Sequence, residues 1–253
     1  MSNIRLAQFI TSFGGLNSYG STVAQTKKAL DNGTPGTLSN SNDEGLFRDA
    51  LSGINAILKY GFTVQGIIAV NQTFTHNEEE DPSLPGHLRN SMYNAEDNIS
   101  ISVSPDGRDY YFPPEQVNKS DLKEIIDTFH QSKQTRLDGL RVFADLAKLQ
   151  PFQDGNKRTA LIAANAALNT WQKEDYLLIP LNSLDQADFM VNLMRYYQAD
   201  SKSKQTELLL HMEKLVPTVL EQGSFLPKEN SQEINRLKTA RIKPIFKNRR
   251  HPL

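Results

Sequence analysis

The stretch KLQPFQDGNKRTAL, residues 148–161, sets an acid, a Gly-Asn pair and two cations in one short turn between two apolar segments. On its amino-terminal side, Leu140, Phe143 and Ala147 recur with helical spacing, and a similar apolar stripe follows the turn. Two packed helices are therefore expected to hold the turn, with Phe152 as an apolar anchor into the core. Because free backbone amides at the start of a helix bind anions, the pattern predicts a phosphate site.

Each polar residue of this turn has a chemical use beside a phosphate. Gly155 lets the chain bend and approach a ligand closely, and Asn156 tolerates unusual backbone angles and can form hydrogen bonds. Arg158 offers two parallel donors for phosphate oxygens, and Lys157 a mobile positive charge. Asp154 is expected to hold Mg²⁺, which bridges two phosphates with water in its other positions. A plain Asp154–Arg158 ion pair is the simpler alternative, but it accounts poorly for the whole combination.

The overall composition restricts the classes of protein to which the chain can belong. With 253 residues and 38% hydrophobic content, it can bury the core of one large domain, with or without appendages. The formal net charge of -1 provides no general attraction to nucleic acid or an anionic membrane. The absence of cysteine excludes disulfides, thiolate metal sites and cysteine nucleophiles. No leader or membrane-spanning run is evident, so we expect a cytoplasmic protein without a membrane partner.

Three regions follow one another along the chain. Residues 1–43 are rich in Gly, Ser, Thr and Asn without a sustained period, and we interpret them as an N-terminal extension with a possible helix at 23–30. Residues 44–216 carry apolar helical stripes, the first running from Phe47 to Leu58, and form the predicted domain. Residues 217–253 are a basic tail, expected to be solvated. Docking to nucleic acid or an acidic partner is its alternative role.

A single β signal interrupts the helical pattern. Ile99, Ile101 and Val103 alternate with serines, a turn follows at 104–107, and residues 110–112 close what we interpret as a hairpin. The predicted fold class is therefore mainly α, a helical bundle with one β-hairpin.

Residues 150–158 resemble the signature of the Fic/Doc (Fido) family, His-x-Phe-x-(Asp/Glu)-Gly-Asn-x-Arg. In that family the motif lies in a turn between two central helices of a mainly α-helical domain. Upstream, the run Pro85-Gly86-His87-Leu88-Arg89, the hairpin and Pro113-Pro114 resemble the segment that forms a β flap over the family's site. The resemblance covers about residues 44–200 and implies a Fic-like bundle with a hairpin flap.

The resemblance also implies a reaction. Most family members transfer AMP from Mg²⁺-ATP to a hydroxyl of a target protein, and the motif's leading His deprotonates that hydroxyl. Carried over, Asp154 is the metal ligand, and Gly155, Asn156 and Arg158 form the phosphate cradle. The flap, here with Ile99 and Ile101, clamps a strand of the target protein by main-chain pairing. The implied cofactors are ATP and Mg²⁺.

The chain departs from the pattern at the position of the base, which is Gln150. An amide cannot accept a proton near neutral pH, and general-base catalysis is typically worth about 10²- to 10⁴-fold in rate. Two hypotheses follow. One is an AMP-transferase weakened or inactivated by Gln150, and the other is a nucleotide-binding pseudoenzyme or interaction module.

Two further departures leave other roles open. Lys157, where many AMP-transferring members have Gly, and Leu161, in place of their second Arg, resemble the death-on-curing branch, which transfers the γ-phosphate as a protein kinase. The family also inhibits itself through a helix reading (Ser/Thr)-x-x-x-Glu-(Gly/Asn). Glu44 precedes a Gly, but Asn40 lies four residues before it. An inhibitory role for Glu44 is therefore possible, and a favourable charge at a helix start is the alternative.

Overall fold

Helices with apolar stripes account for most of the structure, a computed structural model that describes residues 3–76, 84–104 and 106–218. The helices are α1 (Ile4–Gly14), α2 (Val23–Asn32), α3 (Ser41–Tyr60), α4 (Val64–Gln72), α5 (Lys119–Gln131), α6 (Arg136–Leu149), α7 (Asn156–Ala167), α8 (Ser183–Gln198) and α9 (Lys202–Leu215). The mainly α fold class is confirmed. The acid run 78–81 and all of the predicted tail after residue 218 lie outside the described residues.

The centre of the bundle is α7, which packs against α1, α3, α4 and α6. Residues 158–165 of α7 are all buried, so this helix is enclosed around its whole circumference, as its run of Ala, Leu and Ile allows. Phe152, just before α7, is also buried and anchors the turn as predicted. None of the described helices is both long and apolar enough to cross a membrane.

The predicted apolar face of α3 is largely confirmed. Phe47, Ala50 and Ile54 are buried, and the helix ends at Tyr60, before Gly61. Leu58 was wrongly placed on that face: its side chain is 57% exposed, and Ile57 lies inside instead. Ile57 lies about 20° from Ala50 around the helix, so the buried face is centred on these two residues, and Leu58 lies at its edge near the end of α3.

The region before residue 44 contains two helices. The possible helix at 23–30 is confirmed as α2, but α1 was not expected, although Phe9, Ile10 and Phe13 have helical spacing and are fully buried. Ser12 of α1 donates a hydrogen bond to the carbonyl of Ile179 at 3.0 Å and accepts one from its amide at 2.6 Å. The predicted extension therefore contributes to the same hydrophobic core as α7, while the boundary at residue 43 stays a prediction.

The predicted hairpin is present and short. Strands β1 (Ile101–Ser102) and β2 (Tyr110–Tyr111) are antiparallel, with Ile101 opposite Tyr111 and Ser102 opposite Tyr110. Val103 continues the ladder by donating its amide hydrogen to the carbonyl of Asp109 at 2.9 Å. Tyr111 packs on Tyr197 of α8 with ring centroids 5.3 Å apart, which ties the hairpin to the bundle.

Candidate functional site

The turn between α6 and α7 contains two residues with left-handed backbone. Gln150 ends α6 at φ 50°, and Gly155 precedes α7 at φ 74°. The Asn156 side chain braces the turn: its oxygen accepts from the Phe152 amide at 2.8 Å, and its nitrogen donates to the Gln150 side-chain oxygen at 3.0 Å. The Asn156 side chain is thus used inside the turn, which leaves its backbone amide, in the first turn of α7, as the group of this residue that could bind an anion.

Gly155 is required by both its conformation and its neighbour. A Cβ atom on Gly155 would lie 2.7 Å from the Phe74 ring, closer than real Cβ contacts. We expect Gly155→Ala to lower the free energy of unfolding by about 2–4 kcal/mol, since left-handed strain adds to the steric conflict. Urea denaturation of the full chain measures the change.

The matched control for this variant is Gly33→Ala. Gly33 has nearly the same backbone, φ 64° and ψ 20°, but a Cβ atom on Gly33 would have no neighbour within 4 Å among the described residues. This control should cost only the backbone strain, about 1 kcal/mol. Equal losses in the two variants would contradict the role of close packing at Gly155.

Asn71 of α4 links the turn to the preceding segment. Its side-chain nitrogen donates to the Asp154 carbonyl at 2.9 Å, and its oxygen accepts from the Gly86 amide at 2.8 Å. Gly86 has φ 74°, and a Cβ there would meet Gln72. The Pro-Gly element that the sequence singled out is therefore part of the scaffold of the turn.

Arg89, the last residue of that upstream element, lies buried beneath the turn. Its three guanidinium nitrogens donate to three carbonyl oxygens: those of Gln150 at 2.6 Å, Asp97 at 2.7 Å and Pro114 at 2.9 Å. The fully buried Asp97 carboxylate accepts from Gln153 of the turn at 2.8 Å and contacts the His87 ring at 3.0 Å. Arg89 thereby joins the turn, the loop before the hairpin and the end of the flap.

A cavity of about 230 Å³ opens above the turn. Motif residues form one side of it: Gln150, Gln153, Asp154, Gly155, Asn156, Lys157 and Arg158. Residues 99–101 of the flap, together with Leu16 and Asn17 after α1, line the remainder. The structure thus brings the predicted metal ligand, phosphate cradle and flap residues Ile99 and Ile101 to one cavity.

The cavity is smaller than two clefts elsewhere, of about 740 and 730 Å³, neither of which includes a motif residue. It is also below the range of roughly 300–1,000 Å³ that is usual for pockets enclosing a drug-sized ligand. A group of the size of a polyphosphate suits this volume better than a complete nucleotide does.

Asp154 and Lys157 give the cavity opposite charges side by side. Burial raises the pKa of the Asp154 carboxyl, while the Gly155 amide, which donates to it at 2.5 Å, and the Lys157 charge act in the opposite direction. Burial likewise lowers the pKa of the Lys157 ammonium, and Asp154 opposes that shift. Desolvation therefore destabilises the charged form of both side chains. A cation bound beside Asp154, or an anion bound beside Lys157, would stabilise that charged form.

Arg158 lines the cavity from a buried position. Its guanidinium lies 4.6 Å from the Phe74 ring centroid and 5.7 Å from that of Phe13, and one nitrogen is 3.9 Å from a carboxylate oxygen of Asp49. Burial lowers the pKa of Arg158 to about 10, while Asp49 acts to raise it, so the side chain stays charged at neutral pH. The simple Asp154–Arg158 pair considered from the sequence is replaced by an Asp49–Arg158 pair.

The side chain of Gln150, at the position where the sequence comparison expects a base, is held in place by its neighbours. Its side chain is 4% exposed, and its nitrogen donates to the carbonyl of Ala147 at 2.5 Å. Its oxygen is the acceptor for Asn156 described above. The buried Tyr197 hydroxyl faces Gln150 without reaching hydrogen-bond geometry. Burial raises the pKa of Tyr197, so it does not supply the missing base.

The remaining predicted residue, Glu44, lies half-buried in the first turn of α3 and is not among the described residues that line the cavity. Leu161, at the position of its expected Arg partner, is fully buried in the core. An inhibitory role for Glu44 stays a prediction without a contact to the site. Within the described residues, no cluster of three or more His, Cys, Asp or Glu is placed to bind a metal.

Sequence reasoning missed several residues around the site. Asn17, Asn71 and Asp49 come from segments distant along the chain, and no local pattern marked them. Arg89 did carry a signal, because it lies in the Pro-Gly-His-Leu-Arg run that the sequence singled out. Its function, however, is to hold carbonyl oxygens, which only the folded arrangement reveals.

Comparison with known proteins relates the residues around this cavity to a protein family. Residues 61–168 match the family model described as "Fic/DOC family". No curated protein matches the sequence. The matched span contains the Pro-Gly element, the hairpin and the whole turn. Of the described residues that line the cavity, Leu16 and Asn17 lie outside it.

Solved structures show the same fold. A fragment of Fic-1 from C. elegans is similar with 15% identity and a TM-score of 0.58, and the match covers 92% of this chain and 64% of that one. A Fic domain containing signaling protein from Bacteroides thetaiotaomicron is similar with 16% identity and a TM-score of 0.59, covering 95% and 91% of the two chains. This chain thus spans less than two thirds of the C. elegans fragment.

Proposed function

We propose that this Fic/DOC family protein binds the polyphosphate of Mg²⁺-ATP above the α6–α7 turn and transfers AMP to a protein hydroxyl only slowly, because Gln150 replaces the base. The observation that carries the proposal is that Asp154, Lys157 and Arg158 line one cavity at the start of α7. Cations, amide donors and one carboxylate are the groups that a metal–polyphosphate complex requires.

The residues present fit a divalent cation bound together with its nucleotide. Mg²⁺ usually takes one or two carboxylates and completes its shell with phosphate oxygens and water, which suits Asp154 alone. Bound there, Mg²⁺ would neutralise phosphate charge. Lys157 and Arg158 would bind and orient the phosphates, and Gly155 would let the chain approach them closely.

In the proposed transfer, the hydroxyl oxygen of the target forms a bond to the α-phosphorus, and pyrophosphate leaves. The hydroxyl proton must go to an acceptor, and the amide of Gln150 is not one near neutral pH. The proposed site therefore keeps the residues for binding metal and phosphate, while the position of the proton acceptor holds a residue that braces the turn through Ala147 and Asn156.

The flap is the proposed docking place for a strand of the target protein. The two-residue strands β1 and β2 leave main-chain groups on their outer edges that an extended segment can pair with. Tyr110 and Phe112 on this hairpin are 50% and 72% exposed, which provides apolar surface for the target's side chains.

Calorimetric titration of ATP and ADP, with and without Mg²⁺, tests the binding half. We expect Asp154→Asn, which keeps the shape and removes the charge, to weaken the Mg²⁺-dependent affinity by at least about tenfold. Asp127→Asn is the control, because Asp127 lies on α5 and pairs with Lys123 away from the cavity. No nucleotide affinity in the wild-type protein would disprove the proposal.

ATP carrying its isotope at the α- or the γ-phosphate tests the transfer half, with a cell lysate as a source of targets. Label from the α position alone supports AMP transfer. Label from the γ position alone would favour the kinase activity of the death-on-curing branch, for which Lys157 in the cavity is the specific observation. Binding without label from either position would favour the pseudoenzyme or interaction module.

A further inference from the structure

The segment after α1 closes one side of the cavity. Leu16 and Asn17 line it together with Asp154 and Lys157, although they belong to the region that the sequence marked as an extension. This segment lies outside residues 61–168, which match the family model. Its contribution to the site is therefore a property of this chain's own N-terminal region.

Asn17 carries a polar atom without a partner among the described residues. Its side-chain nitrogen is shielded from solvent and forms no hydrogen bond there, while the residue lines the cavity. Leaving such a donor unsatisfied costs about 1–3 kcal/mol, which an acceptor in the cavity would recover once the side chain rotates to present this nitrogen to it. The other groups there are mostly donors or cations, so the acceptor that suits them all is an anionic oxygen.

The position of Asn17 is set by the contacts around it. The backbone amide of Asn17 donates to the carbonyl of Gly14 at 2.8 Å. Three residues later, the Gly20 amide donates to a carboxylate oxygen of the fully buried Asp43 at 3.0 Å, and the Ser21 hydroxyl donates to the other at 2.5 Å. The connection between α1 and α2 is thus anchored on both sides of Asn17, so the backbone of Asn17 is already ordered before a ligand binds.

We propose that the side-chain amide of Asn17 donates a hydrogen bond to a phosphoryl oxygen of the bound polyphosphate. The N-terminal region is then a structural part of the nucleotide site. The inference rests on the proposed function, since it names a further binding residue of the same cavity. In this proposal Asn17 recognises the phosphates and not the base or the sugar.

The experiment is calorimetric titration of the full chain with ADP and with inorganic pyrophosphate, both in Mg²⁺. Asn17→Ala removes the donor and is expected to weaken both ligands by roughly tenfold, the scale of one hydrogen bond to a charged group. Asn17→Asp places a carboxylate at nearly the same shape and should weaken both further by charge repulsion. Ser18→Ala is the control, because Ser18 is the next residue of the same turn and does not line the cavity.

Thermal unfolding of the same variants separates binding from folding. Since the Asn17 side-chain nitrogen has no partner in the described part of the chain, Asn17→Ala should melt at the wild-type temperature or slightly above it. Wild-type affinity in both Asn17 variants would overturn this inference and leave the proposed function intact. A loss of affinity that occurs only together with a lower melting temperature would also overturn this inference and leave the proposed function intact. Absence of ADP and pyrophosphate binding in the wild-type protein would overturn both.

Discussion

Replacing Gln150 by His is expected to raise the rate of AMP transfer by about 10²- to 10⁴-fold, the usual contribution of a general base. The surroundings favour a productive imidazole. The Ala147 carbonyl, which now accepts from the Gln150 side chain, can accept from one ring nitrogen of the new His. That bond would keep the proton on this nitrogen and leave the other free to accept the proton of the target hydroxyl. Transfer of α-labelled AMP to a lysate measures the gain.

Two controls make this result interpretable. Gln150→Ala opens the same space without supplying a base, so it should gain no activity. Adding Asp154→Asn to Gln150→His should abolish the gain, because the phosphates would lose their metal-holding residue. A His variant that binds nucleotide as the wild type does and transfers nothing would show that the missing base is not what limits this protein.

Replacing Arg89 by Ala is expected to lower the free energy of unfolding by about 3–5 kcal/mol. The change leaves three carbonyl oxygens, those of Gln150, Asp97 and Pro114, without their donor. The bonds to the first two are buried, and each such loss costs about 1–3 kcal/mol before water enters the space. It also leaves the nearby Asp97 carboxylate with less positive charge. Urea denaturation gives the loss directly.

Arg89→Lys is the informative partner of this variant. It keeps the charge but cannot reach three carbonyls in the fixed fork of a guanidinium, so we expect an intermediate loss. Arg108→Ala is the control for removing a cation, since the Arg108 side chain is 85% exposed at the hairpin tip. If Arg89→Ala were as stable as Arg108→Ala, the three hydrogen bonds would not hold the turn as described.

The turn itself was accessible from the sequence because its signals are local. Gly155 and its neighbours follow an apolar helix and start another, and the structure places them in that order. The hairpin could also be predicted from the sequence, because the alternation of apolar residues and serines at 99–103 and the turn at 104–107 are local patterns. Asn156 shows the limit: the sequence marks it as a residue of the turn, but only the structure shows that it begins α7 and that its side chain braces Phe152 and Gln150.

By itself, the sequence determined the helical class, the central turn and the hairpin, because periodicity and residue chemistry act over a few neighbouring positions. Only the tertiary structure decided which distant groups meet there. Arg89 and the Gln150 carbonyl are 61 positions apart, and Asn17 reaches the cavity from before the second helix. Such contacts depend on how whole helices pack, and a local pattern of residues carries no information about that packing.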